Sequence, residues 1–540
     1  MEEGIVRQPA PADAAYSQRW PIEFVLHANI FSKGILLILI HPPVTKPCEP
    51  PAGIAKLAGA LNRQGIPCHI LDGNIEGLLY LMQQPVAASD TWSRRAVRHL
   101  SEHMASLKNT NTYQFPERYA RAVRDVQRVL AVSAGEAGVT VGLADYKHDH
   151  LSPVRSADLI HAAANPQENP FYPFFKKRLP SILEKGKTGM VGISLSYLSQ
   201  ALCAFSLIGY IRTEYPEMKV VLGGGLVSSW MQRPGWKNPF GGLADHLVAG
   251  PGEHPLLDLL GRERIEREQS RPDYRPLPLQ DYLAPGFILP YSAASGCYWG
   301  KCSFCPETAE GDPYRPIPVE QAMADLKGLI AERAPVLIHL LDNAVSPALL
   351  RALAEESPGA PWYGFARIGR DLTDGDFCRA LKRSGCVMLK LGLESGSQEV
   401  LDAMNKGIEI DMASQVLKSL KKAGIATYVY LLFGSPAETI AEARQTLDFV
   451  VRHRGEITFL NLAIFNMPSC GPEAGNYETE QFYTGDLSLY TGFRHPHGWE
   501  RKLVRQFLEN EFKRHVAVSA ILKHDPPVFT SNHAAFFVRL

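Results

Sequence analysis

Three of the chain's nine cysteines fall within nine residues, in the segment Gly296-Cys297-Tyr298-Trp299-Gly300-Lys301-Cys302-Ser303-Phe304-Cys305. The spacing is Cys-x4-Cys-x2-Cys. Three thiolates on one short loop can converge on a single metal centre, the usual role of clustered cysteines in a reducing compartment. Three loop ligands also leave one position open, as a catalytic rather than a structural centre does. A structural zinc site would need a fourth ligand, for which His339 or Cys470 is available. Three unrelated core cysteines would make the interleaved glycines and aromatics an accident. The loop therefore reads as the seat of an iron–sulfur cluster. Cys68, Cys203, Cys378 and Cys386 sit in apolar settings and read as small core residues. Cys48 and Cys470 lie in loops that could face cofactors.

The elements that position this loop follow from the apolar pattern. Residues 34–40 form an apolar strand, 53–64 have helix spacing and 67–71 form a second strand, which is a β-α-β unit. Residues 75–185 read as a mostly helical insertion. The pattern resumes with a strand at 189–195, a helix at 200–214 and strands at 219–222 and 244–249. Residues 34–262 are thus expected to be an open, doubly wound α/β domain, preceded by a lead-in over 1–33 and followed by a charged, proline-rich linker over 263–285. Strand-like runs then recur at 287–292, 336–341, 362–368, 387–393, 427–433 and 458–464. Helical runs follow at 319–331, 347–356, 374–384, 397–404 with 413–423, and 439–453. Six such units suggest a partial barrel over 286–470, with the cysteines just after its first strand, where barrel enzymes place active-site loops. Residues 471–540 remain as a C-terminal extension with one amphipathic helix at 499–514.

Composition narrows the function. The 540 residues imply three or four domains at ~150 residues each. Hydrophobic residues make up 45% and charged residues 21%, enough for sizeable cores. Lys+Arg and Asp+Glu both number 56, so no global positive field draws in nucleic acid. The N-terminus shows no apolar signal region, and the best apolar run is too short for the ~20 residues of a membrane span. A cytoplasmic protein without a transmembrane segment is expected.

The cysteine loop, with aromatic Phe304 before the third cysteine, resembles the radical S-adenosylmethionine (SAM) superfamily, and the resemblance makes Phe304 a cofactor-binding candidate near the adenine of SAM. That resemblance implies a [4Fe-4S] cluster on Cys297, Cys302 and Cys305, with SAM on the fourth iron. One-electron transfer then cleaves SAM to methionine and a 5′-deoxyadenosyl radical. It also implies a partial (β/α)6 barrel, in agreement with the six units counted independently. The commonest family spacing has three residues in the first gap, and here there are four. The segment 391–398 with Met404-Asn405-Lys406-Gly407 resembles the family's fourth-strand region, which makes Glu394 a candidate facing SAM, with a buried salt bridge as its alternative. Residues 433–439 resemble the fifth-strand turn, which makes Gly434 a candidate and leaves Glu438 a helix-start residue. By position, Asp342 and Asn343 at the end of the second strand and Arg367 near the end of the third are further candidates for SAM.

Residues 34–262 resemble the cobalamin-binding domain that precedes the barrel in one radical SAM class. Ser194, Gly223 and Gly224 would then flank the cofactor at strand C-termini. The chain lacks a histidine in the Asp-x-His-x-x-Gly pattern, and Asp72-Gly-Asn74-Ile-Glu-Gly77 reads as a coincidence. The implied activity is cobalamin-dependent methyl transfer to an unactivated carbon of a small-molecule or peptidic substrate. An electron donor such as flavodoxin or ferredoxin would supply the electron. Rearrangement, cyclisation or oxidation by the same machinery is the alternative, and a non-catalytic iron–sulfur electron carrier a remoter one. Tyr477, Tyr483, Tyr490, Phe493, His495 and His497 are interleaved in the C-terminal extension as core, interface or substrate-facing residues.

Overall fold

The structure, a computed structural model, describes residues 36–86, 88–135, 138–183, 189–262, 270–481, 484–527 and 530–538. The expected lead-in over 1–33, the first part of the linker and Tyr483 lie outside the described residues. Two parallel sheets organise the rest. The first contains β1 (Leu36–His41), β2 (His69–Asp72), β3 (Gly189–Ser194), β4 (Met218–Gly223) and β5 (His246–Leu247). Its order is β2-β1-β3-β4-β5, with every neighbouring pair parallel. The runs LLILIH and GMVGIS are almost wholly buried, as strands covered by helices on both faces must be. The chain direction of winding reverses between β1 and β3, and sheets of this kind bind ligands outside the carboxyl ends of the strands at that point.

The stretch between β2 and β3 is mostly helical, as its amphipathic pattern implies, with Pro116–Ser133 as its longest helix. It also contains an antiparallel hairpin, Val139–Val141 with Tyr146–His148, that the sequence pattern missed. Three-residue strands are too short for alternation to register. Asp72 and Asn74 serve the fold. Asp72 Oδ1 accepts the backbone N–H groups of Asn74 and Ile75, both at 3.1 Å, and so caps the helix Gly73–Met82. Asn74 closes on Thr45 through both its amide atoms.

The second sheet contains β6 (Ile288–Tyr291), β7 (Leu337–Leu340), β8 (Trp362–Ala366), β9 (Cys386–Glu394), β10 (Ala426–Phe433) and β11 (Phe459–Ile464). The six are parallel and follow chain order, with β6 and β11 at the two edges. This is the expected partial (β/α)6 barrel. Strand alternation sorts the side chains. Leu389, Leu391, Leu393, Val429, Leu431 and Phe433 pack outward into the core shared with the helices. His339, Tyr363, Phe365, Lys390 and Tyr430 are left facing the lumen. At the amino end of the strands Tyr363, Met388, Tyr428 and Phe459 join the core of the first domain together with Ala534 and Ala535 of the C-terminal segment. The His533 ring closes this end, 4.5 Å from Tyr428 and 4.7 Å from Phe459.

Past β11 lies a small antiparallel sheet of Met467–Pro468, Thr479–Glu480 and Tyr490–Phe493. Phe493 packs against Phe465, Tyr477 and His495. The expected 499–514 helix is shorter: Arg501–Phe507 runs into a π-helical turn over Leu508–Phe512. Among the cysteines expected in the core, Cys68 is only partly buried, while Cys203, Cys378 and Cys386 are buried.

The described part of the linker is a strap across both domains. Asp273 N–H donates to Ala55 O at 2.8 Å and Leu283 N–H to Pro47 O at 2.7 Å. The Tyr274 hydroxyl donates to Pro290 O on β6. The Tyr282 hydroxyl donates to Asp72 Oδ2 at 2.6 Å, with both residues buried. Replacing Tyr282 with Phe leaves a buried carboxylate oxygen without this donor, a loss expected to cost about 1–3 kcal/mol. Thermal denaturation of Tyr282→Phe checks this, and an unchanged midpoint contradicts the strap's role.

Candidate active site between the two sheets

The cysteine loop leaves β6, passes a short ladder of Ala294–Ser295 with Arg315–Pro316, and ends where the helix Pro306–Glu310 begins. It is sewn to the segment that follows the helix Gln398–Ala403 after β9. Ser303 N–H donates to Met404 O at 3.0 Å, and Trp299 Nε1 donates to Asn405 O at 3.1 Å. From β8, Arg367 stacks its guanidinium over the Trp299 ring at 3.8 Å. Its Nη2 donates to Lys406 O and, at 2.8 Å, to Gly407 O. Gly407 has φ +62°, and a Cβ there would fall 2.3 Å from the Trp299 ring, so the close approach requires glycine.

Charge is concentrated at this seam. Lys406 Nζ pairs with Glu394 Oε1 at 2.7 Å, with side chains only 10% and 12% exposed. Glu394 closes β9 at φ +68°, a strained backbone for a non-glycine residue. The Phe304 ring lies 5.5 Å from the Lys406 ammonium. Burial pushes the Cys302 thiol up, while Lys406 and Arg367 pull it down. The Cys302 sulfur in turn lies within electrostatic reach of Arg367. Burial likewise raises Cys305, which lies within electrostatic reach of Cys297. All three cysteines are partly exposed and free of disulfides.

Neither alternative fourth ligand completes a mononuclear zinc site. Among the described residues no three His, Cys, Asp or Glu side chains, the three loop cysteines included, gather on one ion position. His339 is held deep in the lumen by Glu49 and Lys390. Cys470 lies within electrostatic reach of Glu310 and Arg233 instead.

A cleft of 640 Å³ opens between this loop and the first sheet. Ser194, Ser196, Gly223, Gly224 and Gly225 line one wall, and Gly296, Glu307 and Asn343 the other. Gly224 has φ +110°, and a Cβ there would fall 2.4 Å from Leu195 O, so no other residue fits that edge. His41, at the end of β1, is buried and turned inward to Thr45 and Gln200.

The sequence-predicted residues therefore separate into groups. Ser194, Gly223, Gly224 and Asn343 share the cleft. Phe304, Arg367, Glu394 and Cys302 surround Lys406. Asn343 Nδ2 reaches Gly296 O at 3.4 Å, next to Cys297. Asp342 is buried, accepts the Ala293 N–H at 3.1 Å and is pushed up to about 6 by burial. Gly434 lines a separate cavity of 80 Å³ with His495 and Trp499. The roles of Lys406 and Trp299 are not evident from their motifs: the Trp299 indole meets Asn405, 106 residues on, and Lys406 meets Glu394 only because the chain folds back past the helix between them.

Residues 291–450 match the model of the radical SAM superfamily, so the barrel is a radical SAM domain. An uncharacterized methyltransferase of Pyrococcus horikoshii is 27% identical over 310 residues, 50% of this chain and 66% of that protein. The bacteriochlorophyllide d C-12(1)-methyltransferase of Chlorobaculum tepidum is 27% identical over 32% of this chain and 40% of its own length. The matched segments thus span less than two thirds of either relative. In fold, the chain is similar to the radical SAM methyltransferase TsrM of Kitasatospora setae, with a TM-score of 0.50 at 16% identity, covering 88% of this chain and 83% of that one. Among the described residues no helix is long and apolar enough to cross a membrane.

Beneath Gly434, Glu438 is fully buried and is not a helix-start residue; Thr439 caps that helix. Its Oε2 accepts from Gly434 N and, at 3.0 Å, from Trp499 Nε1, while Oε1 has no hydrogen-bond partner among the described residues. Burial pushes its carboxyl up to about 7. A folded value above the unfolded one means stability that is full below about pH 4.5 and is lost as pH rises through 7. Glu438→Gln mimics the protonated acid. It is expected to match wild type at pH 4 and exceed it by about 3 kcal/mol at pH 8. Denaturant melts across that range check this, and a difference independent of pH contradicts it.

Proposed function

We propose that this chain is a cobalamin-dependent radical SAM methyltransferase acting on an unactivated carbon of a small-molecule or peptidic substrate, with an electron donor such as flavodoxin or ferredoxin. The observation that carries the reading is the shared cleft. The glycine- and serine-lined edge of the first sheet faces Gly296, at the start of the cysteine loop, and Glu307, just after it, across one space. The chemistry of the donors fits both groups. Three unbridged thiols with two cations beside Cys302 suit an iron–sulfur cluster. An edge bare of side chains at Gly223 and Gly224 suits a broad, flat cofactor at the topological switch point. When bound, the [4Fe-4S] cluster with SAM supplies reductive cleavage of SAM, and cobalamin supplies a methyl carrier.

The chain's own residues have distinct tasks. Cys297, Cys302 and Cys305 ligate as thiolates. Arg367 and Lys406 favour the thiolate of Cys302 by placing positive charge beside it. Arg367 does so while its Nη2 is held by the backbone carbonyls of Lys406 and Gly407, so it also positions the loop. Glu394 balances Lys406, and Phe304 packs against that cation. Asp342 fixes the end of β6, and Asn343 steadies Gly296 at the start of the loop.

Anaerobic turnover with SAM bearing a CD3 methyl group tests this reading on candidate substrates. The expected products are 5′-deoxyadenosine and a substrate carrying one CD3 group. 5′-Deoxyadenosine without methylated product would favour rearrangement, cyclisation or oxidation. The absence of both would favour an electron carrier.

A further inference from the structure

One charged side chain in the barrel lumen has no part in the site above. Lys390 lies mid-way along β9, flanked by the outward-facing Leu389 and Leu391, so alternation turns it into the lumen. It is 4% exposed. Its Nζ lies 3.3 Å from His339 Nε2. On the other side of that ring, His339 Nδ1 lies 3.0 Å from both carboxylate oxygens of Glu49, which enters the barrel on the loop after β1. The carboxylate fixes the tautomer: Nδ1 donates to Glu49, so Nε2 accepts from Lys390. The imidazole is pinned flat on Tyr363, with ring centroids 4.3 Å apart and planes 8° apart.

The ammonium is thereby left incomplete. A buried cation ordinarily keeps a carboxylate in direct contact. Glu49 is engaged by His339, and among the described residues no carboxylate forms an ion pair with Lys390. Among the described residues its one hydrogen-bond partner is His339, which leaves two N–H donors, with the rings of Tyr363 and Phe365 each 5.1 Å from Nζ. Phe365, Tyr430, Leu432 and Asn461, all at inward positions, are partly exposed. Burial pushes Lys390 down to about 8, which leaves it an ammonium at pH 7.

We propose that Lys390 anchors a carboxylate of the substrate, with the rings of Phe365 and Tyr430 taking the apolar or planar part next to it. Two spare N–H donors match the two oxygens of a carboxylate. His339 and Glu49 hold the ammonium in place, so the first domain reaches the substrate's binding end as well as the cofactors. The inference rests on the proposed function, in that it takes the lumen as the substrate space.

The test is calorimetric titration of the reconstituted holoprotein with benzoate and with neutral benzamide. Benzoate binding to wild type and to Lys390→Arg, reduced at least tenfold in Lys390→Met, with benzamide not bound, supports the anchor. Lys390→Arg guards against misreading a folding defect, because it keeps the charge. Benzoate binding equally well to Lys390→Met, no benzoate binding to wild type, or benzamide binding as well as benzoate overturns it. 5′-Deoxyadenosine release is read separately on the same samples. Lys390-dependent benzoate binding supports the anchor whether or not SAM is cleaved, so failure of the enzymatic reading and failure of the anchor are told apart.

Discussion

The ion pair between Lys406 and Glu394 is the interaction on which the site depends. It sits nearly buried at the strained end of the barrel's longest strand and ties that end to the segment 404–407, beyond the helix Gln398–Ala403, which receives the cysteine loop. Backbone carbonyls of that segment then take the Ser303 N–H, the Trp299 indole and the Arg367 guanidinium. Losing one partner of such a pair would leave an unpaired charge in a poorly solvated site, which is strongly destabilising. The same lysine places its charge beside Cys302. One side chain thus couples the placement of the loop to the electrostatics of its sulfurs.

The second constraint is the meeting of two parallel sheets. Each presents the carboxyl ends of its strands to the cleft, where backbone amides and loops, not side chains packed in layers, form the surface. The strap over residues 270–285 keeps the sheets in that relation by bonding to Ala55, Pro47, Asp72 and Pro290. The loop after β1 adds a third tie by carrying Glu49 into the barrel. A single cleft shared by both sheets follows from these ties rather than from either domain alone.

Much of this was legible in the sequence. The six barrel strands are apolar runs bounded by turn residues, and five-strand winding of the first domain follows from the same signal. The cysteine loop is legible because its three ligands are local. Contacts between distant segments were not legible. Nothing at Glu49 and Lys390 shows that they share one histidine, although they are over 300 residues apart in the chain. Arg367 could be placed near the loop by strand count, but not stacked on Trp299. The spacing of Glu438 suits a helix-start residue, whereas Thr439 and Glu442 form the cap and Glu438 turns inward. Lys390 carries a signal that could have been used: it is the one basic residue within the strand CVMLKLGLE.

The most direct test of the central claim is iron and sulfide content after anaerobic reconstitution, together with the electron paramagnetic resonance of the reduced protein. The account predicts about four irons per wild-type chain and a reduced-cluster signal that SAM perturbs, both lost in Cys302→Ala. Zinc in place of iron, or a cluster retained in full by Cys302→Ala, would contradict it.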